Sequence, residues 1–256
     1  MDHYISWVVD KTPLFRIMPL RWFKVMVAKG RNTLVRPYLW EDPHEMNYSN
    51  SVIVTDEGDI PLDVSHWFGQ CWSKCEESAI MWQAFKKEKD PYVKIKVEAF
   101  NLIKGFNLKG NNLRIAVLDN IRYFSPIANE DYQNKTKDIY LWHQWLHNFI
   151  KFGVTLAELY PVYNLLTKRN VFKHEEEVRL LLFDKSSSEN QESISYPFNL
   201  DIIKEVVIDP WTSLDDNKYK RIERKLRKYL IEDKTVIRKS EIFSDCSKFS
   251  VRYHIK

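Results

Sequence analysis

The sequence predicts an α+β fold: one domain over residues 1–256, built on a mixed, mainly antiparallel sheet with helices packed on it. Three observations predict it. Apolar runs of strand length recur along the whole chain, between stretches with helical spacing. Nine Trp, fourteen Phe and thirteen Tyr supply a core, and no break in composition divides the 256 residues into two parts. Only six Gly are present, with no G-x-G-x-x-G or P-loop pattern, which argues against a glycine-rich phosphate-binding fold.

The elements follow in order. Residues 14–17 read as a strand that sets Arg16 among apolar neighbours. Arg16 suits either an ion pair with a helix or an anion site at the strand end. Residues 21–29 place Phe23, Met26 and Val27 at helical spacing, with Gly30 where a C-cap belongs. Residues 33–39 read as a second strand, ended by the turn signal Asp42-Pro43. The polar stretch 46–65 carries a loop or hairpin tip at residues 56–59. Residues 67–73 are rich in β-formers and end in Ser73. Residues 76–85 read as a helix with Ile80, Met81 and Phe85 near one stripe around Trp82, and residues 92–97 alternate as a strand. Cys71 and Cys75 lack a second Cys/His pair and read as packing residues.

Residues 113–118 and 121–124 read as further strands. The longest helical stretch, 138–162, puts His143 and His147 on one face. The glutamate of an H-E-x-x-H helix is missing between them, so no metal site is expected. Beyond the central stretch, 185–195 is a Ser/Glu/Asn-rich loop, and 206–208 is a short buried strand closed by Asp209-Pro210. Residues 212–231 read as a helix with an apolar stripe of Tyr219, Ile222, Leu226 and Leu230. Its basic face, with Arg224, Lys225 and Lys228, is either a solvated surface or a grip on a nucleic-acid backbone. Residues 236–242 and 249–255 read as closing strands.

Residues 172–183 carry the densest chemistry. If the chain is extended from Glu175, then Glu175, Glu177 and Arg179 share one face, opposite Glu176, Val178, Leu180 and Leu182. Desolvating such charges is costly, so they need a reason. One reading is an Arg179–Glu177 pair at the sheet edge, with Glu175 and Glu176 solvated. The other is a catalytic carboxylate pair at the mouth of a cleft.

The net charge of +4 is compatible with nucleic acid without requiring it. No apolar run approaches the roughly 18–20 residues of a membrane span, so no membrane association is expected. The N-terminus lacks the basic and apolar regions of a signal peptide, and the three cysteines are unevenly spaced. Both features point to a reduced, cytoplasmic protein.

Four motifs stand in one order: Leu14-Phe15-Arg16, then Trp40-Glu41-Asp42-Pro43-His44-Glu45, then Cys71-Trp72-Ser73 with Trp82 nine residues on, then Phe172-x-x-Glu175-x-Glu177-x-Arg179. In this order they resemble a widespread bacterial family of unknown function, numbered twenty-nine seventy-one, over roughly residues 13–232. The Val206-Val207-Ile208-Asp209-Pro210 strand and the helix after it belong to the resemblance. That family is in turn similar to ADP-ribosyltransferases. The resemblance implies a split sheet and NAD as substrate. Arg16 would help hold the dinucleotide, and Ser73 would shape the nicotinamide pocket. Trp40, Trp72 or Trp82 would offer rings for stacking on nicotinamide or adenine, against a plain core role for each. Glu177 would be the catalytic glutamate and Glu175 the first acid of the pair. One departure is that the second strand reads Cys-Trp-Ser where the transferases have Ser-Thr-Ser.

The residue types suit that chemistry. Breaking the nicotinamide–ribose bond passes through an oxocarbenium-like cation, which one carboxylate stabilises while a second orients or deprotonates the nucleophile. The function implied is an NAD-dependent ADP-ribosyltransferase acting on protein or nucleic acid, as a toxin or phage-defence effector with an antitoxin or regulator as a partner. The alternative is a non-enzymatic module that docks nucleic acid or a partner through the basic helix 218–228. No metal-dependent nuclease motif is present.

Overall fold

The computed structural model describes residues 4–40, 42, 52–56, 58–87, 89–105, 114–124, 150, 154–230 and 234–243. In chain order, β1 (Tyr4–Ser6) and β2 (Pro13–Pro19) lead into helix α1 (Leu20–Lys29) and β3 (Arg31–Val35). A separate hairpin of β4 (Val52–Thr55) and β5 (Gly58–Pro61) precedes β6 (Trp67–Ser73), α2 (Ala79–Phe85), β7 (Tyr92–Glu98) and α3 (Ala99–Lys104). Then come β8 (Arg114–Asn120), β9 (Arg122–Phe124), the short helices α4 (Leu156–Leu159) and α5 (Pro161–Leu165), and β10 (Thr167–Arg169). The rest is β11 (Glu177–Asp184), β12 (Ser193–Pro197), β13 (Glu205–Ile208), α6 (Pro210–Ser213), α7 (Asp216–Leu226) and β14 (Val236–Lys239).

Among the described residues ten strands form one mixed, mainly antiparallel sheet. It is an α+β fold, and the sheet is split. One half runs β1–β8–β11–β6 and continues through β3 to β12; the other runs β2–β7–β13–β14. The halves meet on one edge of β6. There Ser73 pairs with Phe15 of β2, and Gly69 pairs with Val35 of β3. The edge between those two pairs, Gln70 to Trp72, faces the opening between β2 and β3.

Sequence accounts for the elements that frame this opening. In α1, Leu20, Phe23, Met26 and Val27 form a buried stripe, and each contributes about 1.5–3 kcal/mol when fully buried. Gly30 ends the helix in the left-handed region at φ 57°, its N–H bonded to the Met26 carbonyl, as a glycine C-cap should. β11 lies between β6 and β8 and is buried on both faces, so its Leu180-Leu181-Leu182-Phe183 run is apolar without alternation. Val178, Leu180 and Leu182 join the core beneath α1 and α7; Leu181 and Phe183 join a second core against α4 and α5.

Several expectations need correction. The strand expected over 33–39 is β3 followed by a 3-10 turn, Pro37–Leu39, because Pro37 has no N–H to give a ladder. The helix expected over 76–85 starts at Ala79, where Ser78 accepts from the Met81 N–H. Part of the loop expected over 185–195 is β12, paired with β3. The helix expected over 212–231 is two helices, because Asp209 caps α6 and Asp215 then caps a new start at α7. The last strand stops at Lys239. In the described part of 138–162, a capping box at Thr155 and Glu158 starts α4, and Pro161 starts α5. His143, His147 and the strand expected over 249–255 lie outside the described residues.

Candidate active site

The split opens into a cleft of about 1240 Å³. Arg16, Ser73, Glu175 and Glu177 all line it, although they are far apart in sequence. The four do not lie on one face of one strand. Arg16 shares its face of β2 with the buried Leu14 and Met18 of the main core, whereas Glu177 and Arg179 share their face of β11 with Leu181 and Phe183 of the second core. They share a cleft because β2 and β6 pair at a single position and then part.

Glu177 opens β11, opposite Ser73 of β6. Its Oε1 accepts from Arg179 Nε at 2.6 Å; its Oε2 accepts from Lys168 Nζ at 3.0 Å and Arg179 Nη2 at 3.3 Å. Arg179 is fully buried and also donates to the Leu165 carbonyl at 2.6 Å. The Glu177 N–H donates to the Tyr123 hydroxyl at 2.7 Å, and burial pushes that phenol up to about 12. Burial acts to raise the Glu177 carboxyl as well, but Arg179 and then Lys168 outweigh it and hold the pKa at about 2. Glu177 is therefore a fixed, ionised carboxylate. It does form the structural pair with Arg179, but in the interior of the sheet and not at its edge.

Glu175 is not on a strand, which corrects the shared-face expectation. Residues Asn170–Glu175 form a 3-10 turn, and Glu176 turns the chain at φ 45°, in the left-handed region. Ser73 fixes the turn: its Oγ donates to the Glu175 carbonyl at 2.6 Å and accepts from the Cys75 N–H at 2.9 Å. Ser73 thus supports the acids through the backbone. The Glu175 carboxylate receives Lys168 Nζ on Oε2 at 2.6 Å, and Oε1 has no partner among the described residues.

At the other side of the split, Arg16 is half-buried, and among the described residues no carboxylate pairs with it. Nη1 donates to Asn32 Oδ1 at a long 3.4 Å. Asn32 is the hub of a buried network, bonded to Gln70 and to the Tyr196 hydroxyl, and Gln70 accepts from Trp72 Nε1. Desolvation lowers the Arg16 pKa, opposed by Tyr196 and Cys71.

The expected stacking rings fare differently. Trp72 is buried and bonded to Gln70, a core side chain at the cleft floor with no open ring face to offer. Trp40 is a wall. The Arg179 guanidinium lies 4.2 Å from its ring centroid, and a Cβ on Gly69 would come within 2.3 Å of it, so only glycine fits there. The open indole on the rim is Trp22, 57% exposed, which sequence reasoning passed over because it lies off the apolar stripe of α1. Lys168 was also passed over, since nothing in its spacing relates it to the acids. Arg224, Lys225 and Lys228 are exposed on and just beyond α7, and none of them lines the cleft.

Away from the cleft, Asp63, His66 and Glu158 bring one ligand atom each within 4.8 Å of one another. Glu158 is already bonded to Lys185 and to the Thr155 N–H and hydroxyl. No described helix is long and apolar enough to cross a membrane.

No family model matches the chain, so its likeness to the bacterial family of unknown function rests on motif order alone. No curated protein matches it. Among solved structures it is similar to Thermus sp. 2.9 DarT in complex with carba-NAD+, at 9% identity and a TM-score of 0.38, covering 91% of this chain and 98% of that one. It is also similar to the same protein in complex with ADP-ribosylated ssDNA, at 10% identity and a TM-score of 0.39, covering 90% and 95%. The complex with NAD+ gives 10% identity and a TM-score of 0.38, covering 90% and 96%.

Proposed function

We propose that the chain is an NAD-dependent ADP-ribosyltransferase, with NAD as the substrate and a protein or nucleic acid as the acceptor. The observation that carries the reading is the meeting, in one cleft, of a Glu177 held ionised by two cations, a second carboxylate on Glu175 and a guanidinium on Arg16, where among the described residues Glu175 Oε1 has no partner and Arg16 has no acid. Arg16 suits the pyrophosphate, whose charge would supply what the protein leaves out.

In the reaction, the bond between C1′ of the ribose and the nicotinamide nitrogen breaks, and its electron pair leaves with nicotinamide. The positive charge then grows on the ribose. Glu177, held charged by Arg179 and Lys168, stabilises it without reorganising. The acceptor attacks C1′ and gives its proton to the open Oε1 of Glu175. The cytoplasmic toxin or phage-defence role, with an antitoxin or regulator, belongs to this reading.

Nicotinamide release from NAD tests it. Glu177→Gln keeps the shape and removes the charge, so turnover should fall about 10²–10³-fold, the scale of losing one transition-state electrostatic contact. A wild-type protein that releases no nicotinamide, with or without protein and nucleic acid, ends the reading. So does a folded Glu177→Gln that turns over at the wild-type rate.

A further inference from the structure

Two acids two residues apart meet in the cleft, but the backbone does not bring their side chains together. The left-handed turn at Glu176 breaks the strand alternation between them. What joins them is one ammonium. Lys168, at the middle of β10, reaches Glu175 Oε2 at 2.6 Å and Glu177 Oε2 at 3.0 Å, with the Phe172 ring 4.7 Å away.

The two bonds are unequal in consequence. Glu177 keeps both oxygens on Arg179 whether or not Lys168 is present. For the Glu175 carboxylate, Lys168 is the one hydrogen-bonding or ion-pairing side chain among the described residues. We propose that Lys168 is a positioning residue: it draws the Glu175 carboxylate, delivered on a turn, onto the strand-anchored Glu177, and so makes the two acids one site. The activity part of this proposal rests on the reading given under Proposed function.

The proposal separates Lys168 from a general structural cation. Removing it should free the Glu175 carboxylate while Arg179 still holds Glu177. Lys168→Met should then reproduce Glu175→Gln, with a kcat for NAD hydrolysis lower by about 10²-fold, the scale of a lost general base, and KM within about threefold. The double variant Lys168→Met with Glu175→Gln should fall no further, because the two residues act as one unit. Lys168→Arg keeps a cation between the acids and should recover most of kcat. If Lys168→Met folds poorly, Lys168→Gln serves in its place.

A double variant tenfold or more below Glu175→Gln overturns the proposal, since Lys168 would then act independently of Glu175. Wild-type kcat in Lys168→Met also overturns it. A crystal structure of Lys168→Met supplies an arm that needs no activity: the Glu175 carboxylate should leave Glu177 while Glu177 stays on Arg179. Glu175 unmoved in that structure overturns the positioning role. If the wild-type protein releases no nicotinamide, the functional reading fails, and this structure still decides the role of Lys168.

Discussion

Glu177 and Arg16 line the same cleft, yet among the described residues Glu177 meets two cations while Arg16 has one side-chain hydrogen bond, to an amide oxygen at 3.4 Å. Both charges are partly or fully withdrawn from water, and such a charge is costly without a partner. The acid end has settled that cost inside the protein. Among the described residues the guanidinium end has not. The contrast teaches which end is already set within the protein: the acids are held by Arg179 and Lys168, and under the proposed function the arginine is the end that an anionic substrate would complete.

The strongest way to break this contrast is Arg179→Leu. It leaves Glu177 buried with Lys168 as its one remaining side-chain cation, and stability should fall by about 3–5 kcal/mol in urea titration, as for other broken buried pairs. A fall below about 1 kcal/mol would mean that the acid end is not held as described. Arg16→Gln is the counterpart. Stability should stay level or rise, because a desolvated charge is lost without stranding an acid. NAD affinity should drop about tenfold by calorimetry, or about 1.4 kcal/mol. A marked loss of stability in Arg16→Gln would erase the distinction.

Acid sharpens it further. The Glu177 pKa is lowered from an ordinary 4.5 to about 2 on folding. A lowered acid adds stability that is complete above the unfolded value and is lost as pH falls through the folded value. The Glu177 contribution should therefore fade between about pH 4.5 and 2 in acid titrations, and Glu177→Gln should flatten that limb. The smallest effect is expected at the exposed basic residues near α7. Reversing Lys225 and Lys228 to Glu should change stability by under about 0.5 kcal/mol and leave NAD turnover unchanged. A large loss of turnover there would extend the site well beyond the cleft.

Much of the fold was legible because it follows from period and punctuation. The α1 stripe, the Gly30 cap, and the strands around Arg16, Ser73 and Leu180 are written locally. The acids were legible as residues and not as geometry. Alternation rightly makes neighbours of Glu177 and Arg179. It fails at Glu175, because a non-glycine residue in the left-handed region gives no sign of itself in composition. Trp72 misled for a related reason. Its indole N–H is spent on Gln70, two residues back on the same face of β6, and Gln70 is held in turn by Asn32, a link that becomes visible only when β3 and β6 are side by side. Lys168 needed the fold, since seven and nine residues from the acids it shares no strand or helix period with them until β10 is paired with β9.

The Phe15–Ser73 pair is the one ladder position that joins the two halves of the sheet through β2 and β6. By contrast, β11 and β6 share seven such positions, as do β2 and β7. Native proteins open in cooperative units whose free energies differ, and a seam of one residue pair gives the two halves little backbone pairing in common. Amide hydrogens along that seam should exchange with solvent before those inside either half. That seam runs past Ser73, the residue that braces Glu175, so early exchange there would reach the support of the acids.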